Sequence, residues 1–123
     1  MNLELEQPDS NIYIKHFENG KIAFPQHESS KNVIFDREKI IVPDWSVSKI
    51  TCLNEENIKA LIHPKYEIVL LGTGNSLIIP PKEILHAFAK IGKSLDFMNS
   101  NAACRTFNLL AHDEREVIAA IIV

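Results

Sequence analysis

The nine residues from Tyr66 to Gly74, Tyr-Glu-Ile-Val-Leu-Leu-Gly-Thr-Gly, constrain the fold more than any other stretch. Four apolar residues in a row leave neither face of a strand polar, and two glycines close the run. Such a strand is stable only with a layer on each face, which predicts a central place in a covered sheet. The C-terminal run Val117-Ile118-Ala119-Ala120-Ile121-Ile122-Val123 makes the same demand and is expected deep in the sheet. With 46% hydrophobic residues, a chain of 123 residues can bury such a core without disulfide or metal staples.

The remaining elements read off in order. Ile12–Phe17 and Lys21–Phe24 flank Asn19-Gly20, a pair suited to the two positive φ positions of a type I′ hairpin turn. Residues 25–31 have loop composition, and two short strands, 32–35 and 39–42, surround Asp36-Arg37-Glu38 before Pro43. Trp45 is expected as a lid on the core. Ser46–Ile50 alternates like a strand, and Asn54 caps an expected helix that Pro64 stops, with Leu53 stapled to Ile58. Pro81 opens a helix over 81–91 whose apolar face carries Ile84, Leu85, Ala87, Phe88 and Ile91. Ser94–Met98 is a strand, and Asn99-Ser100-Asn101 offers caps for a helix over about 101–111. The pattern gives an α/β three-layer sandwich, a mixed central sheet flanked by helices, with an added N-terminal antiparallel β portion. Residues 1–10 are expected as a loose arm ahead of a single α/β domain over 11–123.

Charge and composition narrow the function classes. A net charge of −3 supplies no basic field for nucleic acid and no polybasic run for anionic lipid. The longest apolar runs are too short to span a bilayer, and Met1–Asp9 lacks the features of a signal peptide. Cys52 and Cys104 match neither a zinc spacing nor a disulfide framework, so a reduced, cytoplasmic setting is expected. The five histidines show no metal spacing; no metal and no cofactor are assigned.

Two places could carry chemistry. In the helix near 101–111, Asn101, Arg105, Asn108 and His112 recur every three or four residues and form one polar stripe, opposite an expected interior of Ala102, Ala103, Thr106, Phe107, Leu109 and Leu110. A solvated face is the ordinary outcome of such a stripe; the sharper reading makes Asn101 and Arg105 anchors for an anion or a partner's carboxylate at the helix start. Cys104, at the border of the stripe beside Arg105, is a weak candidate nucleophile. A base is still needed: His112 lies about 12 Å along the same helix, and His63 or His86 would have to arrive through the fold. The second place is Gly72-Thr73-Gly74-Asn75-Ser76, a strand end that could bring backbone amides to a ligand, although it lacks the third glycine of a dinucleotide fingerprint. A tight turn is its commoner use.

The segments Leu70-Leu71-Gly72-Thr73-Gly74, Pro80-Pro81 before a helix, and Asn101-Ala102-Ala103-Cys104-Arg105-Thr106-Phe107-Asn108-Leu109-Leu110 together resemble a family of small domains of unknown function. That family is widespread in bacteria and archaea and includes a mitochondrial assembly factor for respiratory complex I and a vertebrate adipogenesis-associated protein. The resemblance is strongest over 66–123 and extends back to about Ile12. It implies a compact three-layer α/β fold with a mixed sheet, no established enzyme activity, and, for one branch, binding of other proteins during complex assembly. Phe107 stands where tyrosine is common in the family, which argues against a mechanism needing a phenol there. Two readings follow. A non-enzymatic protein-interaction or assembly-factor-like module, the favoured one, predicts an exposed apolar surface. A small anionic ligand binder or enzyme predicts that Gly72, Thr73, Gly74, Asn75 and Ser76 converge with Asn101, Arg105 and Cys104 on one pocket, with Asn108 a further ligand-binding candidate.

Overall fold

The computed structural model describes residues 12–123; the arm expected over 1–10 lies outside them. The first hairpin pairs β1 (His16–Glu18) with β2 (Lys21–Ala23). Its turn residues Asn19 and Gly20 have φ of 55° and 71°, as a type I′ turn requires. A short strand β3 (Glu28–Ser29), within the stretch expected as loop, adds to β2 and completes an antiparallel sheet of order β1-β2-β3.

The central sheet has five strands. They are β4 (Val33–Asp36), β5 (Ile40–Val42), β6 (Ile68–Gly72), β7 (Leu95–Met98) and β8 (Val117–Ile121), in the order β5-β4-β8-β6-β7. β6 runs parallel to both β7 and β8, while β4 is antiparallel to β8 and β5, so the sheet is mixed. Every residue of β8 is buried, as its unbroken apolar run demands.

Connectivity decides what covers each face. The chain leaves β6 for β7 on one side and then returns from β7 past β6 to β8 on the other. Right-handed crossovers in opposite directions place their helices on opposite faces. Accordingly, α1 (Lys82–Lys90) sets Ile84 and Phe88 among Val69, Leu71 and Ile118. On the other face α2 (Ser100–His112) sets Ala103, Cys104, Phe107 and Ala111 among Leu70, Ala119 and Ile121, together with Ile22 of β2 and Phe24 just after it. Alternate residues of β6 and β8 thus serve different cores, as strand period dictates. The result is the three-layer α/β sandwich with its N-terminal antiparallel portion.

Three local expectations differ. No α-helix forms after Asn54. Asn54 and Asn57 cap each other reciprocally, each side-chain Oδ1 accepting the other's backbone N–H at 2.9 Å, but only a 3-10 turn, Lys59–Leu61, follows. Pro64 disfavours helical geometry at the residue before it, which cuts the pattern off. Ser46–Ile50 is no strand either; Val47 and Ile50 are buried, but Ile50–Cys52 curls into a 3-10 turn. These turns and buried Trp45, whose indole N–H donates to the Asn57 carbonyl at 2.7 Å, close the core on the α1 side. Ile91 ends α1 as its C-cap, turned out of the helical face and 45% exposed.

Candidate functional site

The end of β6 and the start of α2 are locked together. A Cβ on Gly72 would stand 2.7 Å from Ser100 Oγ and 3.0 Å from Ser100 Cα, so only glycine admits α2 this close to the strand. Ser100 is fully buried; its hydroxyl donates to the Ile122 carbonyl at 2.6 Å and accepts the Gly74 N–H at 2.9 Å. Its own N–H donates to the Gly74 carbonyl at 2.8 Å. Thr73 N–H donates to the Met98 carbonyl, and Thr73 Oγ1 donates to the Ser76 carbonyl at 2.6 Å while accepting the Ile78 N–H at 3.1 Å. The amides of Thr73 and Gly74 are therefore engaged within the fold. Beyond this lock, Leu77-Ile78-Ile79 runs in the open, with Leu77 59% and Ile79 68% exposed, until buried Pro80.

The stripe on α2 divides. Asn99, the helix cap, accepts the Ala102 N–H through Oδ1 at 2.8 Å. Arg105 is exposed and donates to Asn101 Oδ1 at 2.9 Å. Asn108 faces the hairpin instead, where its carboxamide accepts the Ile14 N–H and donates to the Ile14 carbonyl, both at 2.8 Å. Cys104 is in the core, and burial pushes its thiol up to about 12 against the lowering influence of the Arg105 charge. Leu109, expected inside, is 71% exposed. The buried centre of the helix is the line Ser100, Ala103, Phe107, Ala111, and Leu109 is about 200° around the helix from Phe107. A protonated, enclosed thiol is no nucleophile at neutral pH. On the native chain, Ellman's reagent is accordingly expected to titrate exposed Cys52 quickly and Cys104 only after denaturation. Rapid reaction of both thiols without unfolding would contradict the buried placement.

A cavity of about 310 Å³ opens where the hairpin turn meets the β6 loop and the start of α2. Phe17, Glu18 and Asn19 line it from the hairpin, Gly74 and Asn75 from the loop, and Asn99 and Asn101 from α2. Of the residues singled out in the sequence, it gathers Gly74, Asn75 and Asn101; Gly72, Thr73, Ser76, Cys104, Arg105 and Asn108 are not in its lining. Its chemistry is that of carboxamides with one carboxylate, and no cationic side chain lines it. Sequence reasoning missed Ser100 as the lock, although it sat among three adjacent cap candidates. It also missed Glu18, Asn19 and Asn99, which only the fold brings together with the β6 loop. Among the described residues, no three His, Cys, Asp or Glu side chains are placed to hold a metal ion.

A family model described as "Protein of unknown function (DUF498/DUF598)" matches residues 14–122. A Francisella tularensis subsp. holarctica protein named "13 kDa major membrane protein" is 30% identical over 122 residues, covering 99% of each chain. NADH dehydrogenase (ubiquinone) 1 alpha subcomplex assembly factor 3 of Rattus norvegicus is 32% identical over 83 residues, 66% of this chain and 45% of that protein. The chain thus spans less than half the length of that relative. A Xanthomonas campestris protein solved by NMR superposes with a TM-score of 0.82 at 28% identity, covering 100% of this chain and 92% of that one. Among the described residues, no helix is long and apolar enough to cross a membrane.

Proposed function

We propose, from the premise that this chain belongs to the DUF498/DUF598 family of proteins of unknown function, that it is a non-enzymatic protein-interaction module of the assembly-factor kind. The observation that carries the reading is the run Leu77-Ile78-Ile79, three large aliphatic side chains exposed side by side in sequence. Burying one such side chain fully is worth about 1.5–3 kcal/mol, and a run held at both ends loses little further entropy when a partner covers it. Thr73, Ser76 and buried Pro80 hold it in this way. The assembly role in the name of the rat relative belongs to that protein and supports the same class of action here. We take the working compartment to be the cytoplasm, which suits two free cysteines.

The alternative, a binder of small anions or an enzyme, has less behind it. The cavity offers an anion no cationic side chain, the Thr73 and Gly74 amides already have partners, and Cys104 is enclosed. Affinity purification of the tagged chain from its native host tests the proposal. A defined protein partner is expected with the wild type and at least a tenfold lower yield with the double variant Leu77→Ser, Ile79→Ser at an unchanged Tm. Equal recovery by the variant, or co-purification of a small molecule without a protein, would count against it.

A further inference from the structure

The polar cavity beside the apolar run has a chemistry of its own. A carboxamide presents one acceptor and an NH₂ donor, the same pair a peptide unit presents, so asparagine can read backbone of any sequence. This fold does so twice internally. Asn108 holds both the N–H and the carbonyl of Ile14. Asn32 donates to the Val47 carbonyl at 2.7 Å and accepts the Val123 N–H at 2.9 Å. At the cavity, the Oδ1 atoms of Asn99 and Asn101 accept from Ala102 N–H and from Arg105, which leaves their NH₂ groups as donors. The exposed Asn19 and Asn75 side chains make no hydrogen bond among the described residues. Half-buried Phe17 adds an apolar wall, and Glu18 is the single charged group in the lining. A volume of about 310 Å³ suits a few residues of extended chain rather than a folded surface.

We propose that this cavity binds an extended peptide segment of the partner. The asparagine carboxamides hold its backbone, Glu18 pairs with a lysine, arginine or terminal amine, and an adjacent apolar side chain of the segment packs on Leu77-Ile78-Ile79. Those residues begin two positions after Asn75, so apolar and polar contacts fall on one continuous stretch of chain. The inference rests on the interaction reading above and names its partner class.

The test is selection of a phage-displayed random library of linear peptides on the full chain. The expected result is enrichment of sequences that place a basic residue within a few positions of a leucine, isoleucine or phenylalanine. For a synthetic representative, Asn75→Ala and Asn101→Ala should each weaken binding by roughly tenfold, the scale of one or two lost hydrogen bonds. Glu18→Gln should remove the basic preference and flatten the salt dependence. Enriched peptides indifferent to Asn75 and Asn101 would overturn the assignment of this cavity. No enrichment, with a co-purified partner that still depends on Leu77 and Ile79, would overturn the peptide mode and leave the interaction module standing. No enrichment and no partner would remove both. Binding of a saccharide on a glycan array, abolished by Asn101→Ala, would replace the peptide by a carbohydrate.

Discussion

Phe107→Ala is expected to lower folding stability by about 3–5 kcal/mol. Phe107 is fully buried and meets Phe35 edge-on, with centroids 4.8 Å apart and planes at 76°. Phe35 in turn meets Phe24, just after β2, at 5.2 Å and 85°. A chain of three rings thus links α2 through Phe35 of the central sheet to the segment after β2, and truncating Phe107 opens a cavity at its α2 end. Neighbours drawn from separate elements cannot collapse into the space without moving a strand, which places the cost toward the upper end of the range. Urea denaturation measures it directly, as a lower midpoint with an unchanged m-value. A loss below about 1 kcal/mol would mean that α2 does not pack on this face as described.

Ser100→Ala is expected to cost about 2–6 kcal/mol through a different mechanism. The variant removes no more than a hydroxyl, but it leaves the Gly74 N–H and the Ile122 carbonyl without their partner in a buried place, at about 1–3 kcal/mol for each. The effect should be local as well as global. The Gly74 amide, protected in the wild type, should exchange much faster in the variant, and the run carrying Leu77 and Ile79 should lose its rigid hold. Partner binding should weaken accordingly. Hydrogen exchange that is unchanged at Gly74 would show that Ser100 does not lock this loop.

What the sequence disclosed depended on how local the cause was. The runs at 68–71 and 117–121 announced covered strands because an apolar residue at every position excludes solvent from both faces. Asn19-Gly20 disclosed its hairpin because the turn geometry needs positive φ at both positions. The reciprocal Asn54–Asn57 cap is genuine, so the sequence reads as a helix start, but Pro64 disfavours helical geometry just before it and only a 3-10 turn forms. On α2, hydrophobicity alone reads Leu109 as interior and Cys104 as border, yet the packing follows a line of small residues around Phe107 that lets the helix approach β6 and β8 closely. The cavity was least legible. Asn19, Asn75 and Asn99 carry no shared period or spacing, and they meet only because the hairpin layer, the β6 loop and the α2 cap converge at one end of the sheet.

The central claim is that the surface beginning at Leu77 is where another protein docks, and site-specific photocrosslinking in the native host addresses it most directly. A benzophenone amino acid placed at Leu77 or Ile79 is compared with the same group at Leu109, equally exposed and apolar but on the outer side of α2. The account predicts a discrete crosslinked species from positions 77 and 79 and none from 109. Crosslinks from 109 alone, or equal labelling at all three, would contradict it.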